Sequence, residues 1–184
     1  ELVWELHMPN EACVDVYTAL SSAGQAYGII DYGSFAMNVM RMEKAFKGAG
    51  ELTNEVTLPE ADVMRFVNSE KSYLGKAETL ASADNLPWIC AYLEIEADGQ
   101  NDGHGGEAVL LDGRVVGTTA SVVYGHTIGK ILAFAYIKPD AATADRGLEV
   151  VIAGSARPAR ILTEAAYDPQ SLQPRSDEKS EAVA

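Results

Sequence analysis

The segment Val109-Leu110-Leu111-Asp112-Gly113-Arg114-Val115-Val116 decides how the second half of the chain folds. Two short apolar runs flank Asp112-Gly113, a dipeptide that favours the left-handed backbone of a two-residue hairpin turn. The segment therefore predicts two antiparallel strands joined by a tight turn, within a sheet that extends on both sides of them.

The same alternation of apolar runs and turn residues continues on both sides of this hairpin. Further turn signals are Asp98-Gly99, Asn101-Asp102-Gly103 and Gly154-Ser155. Because six short strands follow one another at close spacing, we expect a small barrel or a sandwich. The predicted strands are 88–97, 107–111, 114–124, 127–137, 148–153 and 157–164.

Upstream of the sheet, the pattern changes from strands to helices. Residues 1–9 alternate in the manner of an inner strand and include Trp4, which we expect, like Trp88, in a core. A first helix then follows Asn10 as its N-cap and ends near Gly24. Its apolar face is formed by Cys13, Val16, Tyr17 and Leu20.

A second helix is predicted after a short strand or turn at residues 28–31. It begins with Ser34 as its cap and stops at Gly48. Its apolar stripe consists of Phe35, Val39, Met42 and Phe46. A short third helix is expected at about 76–82. Strand, helix, short strand and helix followed by a β-rich half indicate an α+β fold.

Composition restricts the classes of function. The chain has 184 residues, of which 47% are apolar and 22% charged, which is typical of a globular protein. Its net charge of −13 repels phosphates and anionic lipids, so we expect neither nucleic acid nor membrane as a partner. The two cysteines, Cys13 and Cys90, are isolated in apolar segments and are expected to be reduced and buried.

Several common catalytic motifs are missing from the sequence. Gly48-Ala49-Gly50 follows a helix rather than a strand, so it does not fit a dinucleotide-binding turn. The sequence has no phosphate-binding loop and no nucleophile elbow around a serine. The three histidines show no metal-ligand spacing, and no metal is expected. The chain by itself carries no complete catalytic constellation.

Residues 31–44 contain an Arg-hydrophobic-Glu core within a predicted helix, and residues 52–61 follow it in the chain. These two segments resemble a helix and the loop after it in the folate-binding aminomethyltransferase superfamily, whose namesake is the glycine-cleavage T-protein. The Tyr-Gly-His-Thr-x-Gly-Lys form is closer to the dimethylglycine and sarcosine dehydrogenases of the family than to the free-standing T-protein. The other matching segments are 71–76, 117–121, 124–130, 133–137 and 166–169.

This resemblance implies a chain organisation. Residues 1–50 would be the end of an α/β folate-binding domain, residues 51–86 a linker with a short helix, and residues 87–166 a C-terminal six-stranded antiparallel β-barrel. Residues 167–184, rich in proline, serine and charge, would be a flexible tail. The chain would then be a fragment of a larger protein, and its opening segment would match the later part of a strand halfway along the folate unit.

The resemblance also implies roles for two charged residues. Glu1 matches the glutamate that recognises the pterin, whose adjacent donors one carboxylate can accept. The alternative for Glu1 is a solvated surface glutamate. Arg41 matches the family arginine, and its planar fork suits the carboxylates of a folate tail. A salt bridge to Glu43 or Glu60 is the alternative for Arg41.

Two further site residues are expected at the connection between the third and fourth strands. His126 either contributes to the folate site or is a turn histidine bonded to backbone. Tyr124 could stack or hydrogen-bond at the domain interface.

The chain also departs from the family. Ala49 replaces an aromatic residue, and Tyr167-Asp168-Pro169 stands where relatives carry an arginine, for which Arg157, Arg160 or Arg175 could substitute.

The resemblance implies that the chain is part of a tetrahydrofolate-dependent one-carbon transfer enzyme. In the dehydrogenase branch of the family, this enzyme would be a demethylase that acts on an N-methyl amine and forms methylenetetrahydrofolate. Its catalytic aspartate and its FAD domain would lie outside this chain, in an N-terminal half or flavin domain that would be its partner. The alternatives are a free-standing aminomethyltransferase or sulfonium demethylase, or a scaffold that no longer binds folate. A cytoplasmic or organelle-matrix location is expected.

Overall fold

The computed structural model of the protein describes residues 3–97, 103–142 and 147–176. The described helices are α1 (Cys13–Gly24), α2 (Ser34–Glu43) and α3 (Lys76–Ser82). Six strands follow: β1 (Ile89–Ile95), β2 (Ala108–Leu111), β3 (Arg114–Gly125), β4 (Lys130–Ile137), β5 (Leu148–Ile152) and β6 (Ser155–Leu162). Short 3-10 turns lie at Asn10–Ala12, Gln25–Tyr27, Met64–Phe66, Pro139–Ala141 and Gln173–Arg175. The predicted α+β arrangement is confirmed.

The six strands close into an antiparallel barrel in the order β1-β4-β3-β2-β5-β6, with β6 pairing back onto β1. Closure satisfies the backbone groups that an open sheet leaves at its edges. This decides between the barrel and the sandwich that the strand spacing allowed. The inside of the barrel is filled by aliphatic side chains that are at most 1% exposed, among them Leu93, Ile131, Ile137 and Val150.

The hairpin that predicted the sheet joins β2 to β3 as expected. Asp112 and Gly113 have φ values of 51° and 72°, the left-handed pair that a two-residue turn requires. The β5–β6 turn lies one residue earlier than its predicted Gly154-Ser155, because Ala153 and Gly154 adopt φ values of 50° and 82°. The turn signals at Asp98-Gly99 and Asn101-Asp102 fall outside the described residues.

A second apolar cluster lies on the outer face of the barrel, beneath the end of α2. Met42 packs there with Cys90, Tyr92, Val123 and Phe134. The Tyr92 hydroxyl donates a hydrogen bond of 2.7 Å to the Met42 carbonyl oxygen. The cluster attaches the last turn of α2 to β1, β3 and β4, and this attachment positions the candidate site.

The strand predicted at the start of the chain is absent from residues 3–9, and the prediction was wrong there. These residues have no regular secondary structure, and Trp4 is 81% exposed. Residues 29–31 likewise form no strand. Alternation makes a strand only where a neighbouring strand accepts its hydrogen bonds, and none among the described residues does so. Trp88, at 40% exposure, is also not a core residue.

The helices differ from their predictions at the ends. Pro9 precedes a 3-10 turn at Asn10–Ala12 that leads into α1, so Asn10 is inside the turn rather than capping it. Ser34 is the first residue of α2, after Gly33. The helix ends at Glu43 instead of Gly48, because Ala45 takes a left-handed φ of 56° and the Phe46 N–H donates to the Arg41 carbonyl oxygen at 2.8 Å. Phe46 therefore lies beyond the helix.

The segment expected to be a flexible tail is partly attached to α2. The Tyr167 N–H donates to the Glu43 carbonyl oxygen at 3.0 Å, and Asp168 pairs with Lys44. The composition of this segment predicted disorder. In its described part, Asp168 is instead anchored by the buried Lys44, which lies 124 positions earlier in the chain. Residues 177–184 lie outside the described part of the chain. No helix within that part is long and apolar enough to cross a membrane.

Candidate functional site at the junction of α2 and β3

Arg41 is the organising residue of the junction. Its Nε donates to Asn38 Oδ1 at 2.8 Å, and its Nη1 donates to the Phe46 carbonyl oxygen and to Glu51 Oε2, each at 2.9 Å. Its Nη2 reaches across to the Ser121 hydroxyl on β3 at 3.2 Å. The guanidinium therefore joins the end of α2, the following loop and the barrel.

Glu51 is the counter-ion that sequence reasoning missed. Its side chain is fully buried, and its Oε2 also accepts a 2.7 Å hydrogen bond from the Gly48 N–H. Oε1 has no hydrogen-bond partner among the described residues. Removing the cation from a buried ion pair leaves an uncompensated buried charge, so the 2.9 Å contact with Arg41 offsets the desolvation of the Glu51 carboxylate. The salt-bridge alternative predicted Glu43 or Glu60, and the observed partner is neither.

Glu43 holds the opposite side of the junction. It is 3% exposed, and its Oε1 accepts a 2.7 Å hydrogen bond from the Thr127 N–H in the β3–β4 turn. A Cβ on Gly125 would approach that same Glu43 oxygen to 3.1 Å, so the close contact favours glycine at this position. Glu43 therefore fixes the turn that carries the two aromatic candidates.

Tyr124 and His126 lie together at this turn. Their rings meet edge to face, with centroids 5.1 Å apart and planes at 80°. Tyr124 is half-buried and packs against the inner barrel cluster, whereas the His126 side chain is exposed. The structure thus brings both residues to one surface beside α2. Arg41 contacts β3 at Ser121, nearer the middle of the strand, and Glu1 lies outside the described residues.

Lys44 and Asp168 form a second ionic contact at the end of α2. The Lys44 ammonium is 3.3 Å from Asp168 Oδ2, and it donates to the Asp168 carbonyl oxygen at 2.6 Å and to the Ser171 hydroxyl at 3.2 Å. Desolvation would raise the pKa of Asp168, but hydrogen bonds from the Leu172 and Gln173 N–H groups and from Lys44 outweigh it and lower that pKa.

The arginines considered as substitutes near the C-terminus lie on or after the last strand. Arg160 pairs with Glu94 across β6 and β1, with Nη2 and Oε2 2.9 Å apart, on an exposed surface. Arg157 is buried on the same strand, and Arg175 is exposed in a 3-10 turn. No cluster of potential metal ligands occurs within residues 3–97, 103–142 and 147–176.

The thiol of Cys90 is buried and unreactive. Cys90 is 3% exposed, and desolvation raises the pKa of its thiol to about 12. The thiol is therefore neutral at physiological pH and is not a nucleophile. It packs beside Tyr136, whose hydroxyl donates to the Glu51 carbonyl oxygen at 2.7 Å. The expected reduced and buried state is found for Cys90, whereas Cys13 is exposed.

Two family descriptions match this sequence in order. The GCVT N-terminal domain matches residues 1–71, and the glycine cleavage T-protein C-terminal barrel domain matches residues 90–168. The chain belongs to the glycine-cleavage T-protein family. In family terms, α1 and α2 lie in the N-terminal-domain match, and the closed barrel is the C-terminal domain. The resemblance inferred from the sequence is confirmed.

Individual relatives in this family are longer than the chain. Human mitochondrial dimethylglycine dehydrogenase is 38% identical over 168 residues, which are 89% of this chain and 19% of that protein. An aminomethyltransferase from Streptomyces coelicolor is 30% identical over 167 residues, 86% of this chain and 44% of that protein. Both relatives therefore extend well beyond the region that the chain spans.

A solved structure supports the fold. The glycine cleavage system aminomethyltransferase T from Bartonella henselae has a TM-score of 0.66 to this structure at 15% identity, over 73% of this chain and 38% of that chain. At this level of identity the likeness concerns the fold alone. The chain thus spans less than half the length of each of these three proteins.

Proposed function

We propose that this chain is part of a tetrahydrofolate-dependent one-carbon transfer enzyme of the dimethylglycine and sarcosine dehydrogenase type. The observation that carries the proposal is the 38% identity to a dimethylglycine dehydrogenase over 89% of the chain. The packing of α2 on β3 supports it, because this junction joins the two matched family parts and presents Tyr124 and His126 beside the helix.

In this proposal an N-methyl amine loses two electrons to become an iminium, and its methylene carbon passes to tetrahydrofolate. The products are methylenetetrahydrofolate and the demethylated amine. The oxidation is the chemistry that FAD would supply, in a domain that is not in this chain. The aspartate that assists attack by the folate amine would also lie outside the chain. What this chain contributes is binding and orientation of the folate.

We assign folate contacts to four residues. Glu1 would accept hydrogen bonds from the pterin, and Tyr124 with His126 would line the cleft. Arg41 retains 21% side-chain exposure, so a carboxylate of the folate tail can approach one edge of its guanidinium while four intramolecular hydrogen bonds hold it in place. Arg41 would thus both position the loop after α2 and contact the ligand.

Two other functions compete with this one. A free-standing aminomethyltransferase or a sulfonium demethylase would use the same folate wall with a different methyl donor, and the name of the Streptomyces relative favours the first. A scaffold that no longer binds folate is favoured by a different observation: Arg41 is already engaged in four hydrogen bonds, and Ala49 stands in place of the family aromatic residue.

Calorimetric titration of tetrahydrofolate tests the proposal. We expect binding to a longer protein in which this chain is joined to the rest of the proposed folate unit, and little or none to the chain alone, because in this proposal part of the folate site lies outside the chain. In the longer protein, His126→Ala should weaken binding about tenfold, which corresponds to about 1.4 kcal/mol. The matched control is His104→Ala, an exposed histidine on the β1–β2 connection of the barrel, which should leave the affinity unchanged.

Each result has a consequence. Absence of binding to both proteins would overturn the folate proposal in favour of the scaffold. Binding with no effect of His126→Ala would remove that residue from the site. If folate binds, comparison of dimethylglycine, sarcosine, 4-methylaminobutanoate and a sulfonium compound as methyl donors would separate the dehydrogenase from its alternatives.

A further inference from the structure

A cavity of about 510 Å³ lies on the outside of the barrel, beside the segment that follows α2. It is bounded by that segment, by β1 and β4, and by the end of β6. This volume lies within the range of small-molecule sites, roughly 300–1,000 Å³. Arg41, Tyr124 and His126, the described residues assigned to folate, do not line the cavity.

The floor of the cavity is apolar and rigid. Tyr92 and Phe134 form its aromatic part, with ring centroids 5.0 Å apart and an interplanar angle of 35°. The Tyr92 ring is held by its hydroxyl bond to Met42, and Phe134 is 1% exposed. Ile161 and Leu162 complete this wall. A ligand would therefore meet a preformed apolar surface and would not have to order it.

Cations lie at the rim of this floor. The Lys47 ammonium is 5.8 Å from the Phe134 ring centroid and is held by Asp62, with 3.2 Å to Oδ2. The Arg65 guanidinium lies 4.6 Å from the Phe66 ring centroid. No carboxylate within the described residues lies within salt-bridge distance of Arg65. Glu164 also lines the cavity but is exposed. Arg65 is thus the rim cation whose charge is open to a ligand.

A second cavity, of about 570 Å³, adjoins the first through Lys47 and Arg65. Its remaining walls are apolar, and include Leu52, Leu58 and Phe66. The two cations therefore stand between two apolar surfaces, in a protein of net charge −13. This arrangement suits a ligand that combines an apolar body with a single negative charge. Lys44 also lines the first cavity, but it pairs with Asp168. One guanidinium and one ammonium shared with Asp62 carry less positive charge than is needed to balance a doubly charged phosphate.

We propose that this cavity binds an aryl or arylalkyl monocarboxylate. The apolar body of the ligand lies against Tyr92 and Phe134, and its carboxylate accepts hydrogen bonds from Arg65 and Lys47. Arg65 is suited to this role because its planar fork matches the two oxygens of a carboxylate. The proposal does not depend on folate binding at the junction of α2 and β3.

An NMR titration with 3-phenylpropionate tests this site. We expect saturable shifts of the Ile161 and Leu162 methyl resonances at millimolar ligand concentration, and about tenfold weaker binding of the neutral analogue 3-phenylpropionamide. Arg65→Gln should weaken binding of the acid about tenfold and leave binding of the amide unchanged. Arg114→Gln, which removes an exposed arginine at the β2–β3 hairpin, is the matched control and should change neither.

Three results would overturn the proposal. The first is the absence of saturable shifts up to about 10 mM ligand. The second is equal affinity for the acid and the amide, and the third is an Arg65→Gln variant that binds the acid as tightly as Arg114→Gln does. Because Arg65 is exposed, its substitution should leave the methyl spectrum of the free protein in place, and that spectrum serves as the folding control.

Discussion

The barrel and the helical half of the chain place similar apolar side chains in opposite environments. In β4, Leu132, Ala133, Phe134 and Ala135 are each at most 1% exposed. In contrast, α1 has no buried residue, and α2 buries only Met42 and Glu43. A barrel covers its own apolar face by closing, whereas a lone helix must find a surface elsewhere.

This difference shows which part of the described chain buries its own apolar side chains. Many exposed apolar side chains lie on α1, on α2 and on the segments beside them, among them Val3, Trp4, Val14, Tyr27, Ile30 and Phe35. Exposed apolar surface of this extent marks an interaction surface. Of these two helices, α2 is attached to the barrel, through Met42 and Arg41 near its last turn.

The largest effect should come from a pair of phenylalanines that represent the two regions. Phe134→Ala removes a side chain that is 1% exposed and should lower the free energy of unfolding by about 3–5 kcal/mol. Phe35→Ala, at a residue 89% exposed, should change it by less than about 0.5 kcal/mol. Urea denaturation of both variants measures the contrast. Equal losses of unfolding free energy in the two variants would contradict this contrast and would show that Phe35 is covered in solution.

A smaller but still large effect is expected at the joint between the regions. Arg41→Ala leaves Glu51 buried without its cation and should cost about 3 kcal/mol. Arg160→Ala, the control, breaks an ion pair whose arginine is 66% exposed and should leave the free energy of unfolding close to that of the wild type. Adding Glu51→Gln to Arg41→Ala should recover part of the loss. If it recovers nothing in urea denaturation, the charge of Glu51 is not the cause.

The smallest effect concerns pH and tests the barrel alone. Desolvation would raise the pKa of Glu107, but hydrogen bonds from the Thr119 hydroxyl and from the His104 and Gly105 N–H groups outweigh it and lower that pKa. A carboxyl group whose pKa is lowered by folding stabilises the protein at pH values above its unfolded-state pKa of about 4.3. This stabilisation is lost as the pH falls through the pKa of the folded state.

Glu107→Gln should therefore reduce the free energy of unfolding by about 1–2 kcal/mol at pH 7, since charge-assisted bonds are lost. The deficit should shrink as the pH falls below the unfolded pKa of a glutamate, about 4.3, and disappear once the wild-type carboxyl is protonated as well. Thermal unfolding over this pH range measures it. Glu70→Gln, at an exposed glutamate, should follow the wild type throughout. A deficit that persists unchanged in acid would assign the effect to packing rather than charge.

Features that depend on local interactions could be predicted from the sequence, whereas features that depend on contacts between distant segments could not. The β2–β3 turn was predictable because Asp112 and Gly113 tolerate a left-handed backbone, which is a local property. The opening strand was not, because a strand depends on a neighbour that sequence alternation cannot reveal. The end of α2 was missed because Ala45, not a glycine, adopts the left-handed conformation that stops the helix.

For the candidate site, the sequence proposed Arg41, Tyr124 and His126 through family motifs, and the structure places them on α2, on β3 and in the β3–β4 turn, respectively. It could not identify Glu51 as the partner of Arg41, since the loop must fold back to bring them within 2.9 Å. Nor could it pair Lys44 with Asp168, which are 124 positions apart.

By itself, the sequence determined the family, the six strands and the hairpin turn, because each depends on local preferences of the backbone or on motifs that survive in order. Only the tertiary structure decided that the strands close into a barrel, that Arg41 is engaged by Glu51 and Ser121, and that Lys47 and Arg65 border one cavity. These outcomes depend on contacts between distant segments and on which charges are desolvated together, and neither is encoded in a local pattern.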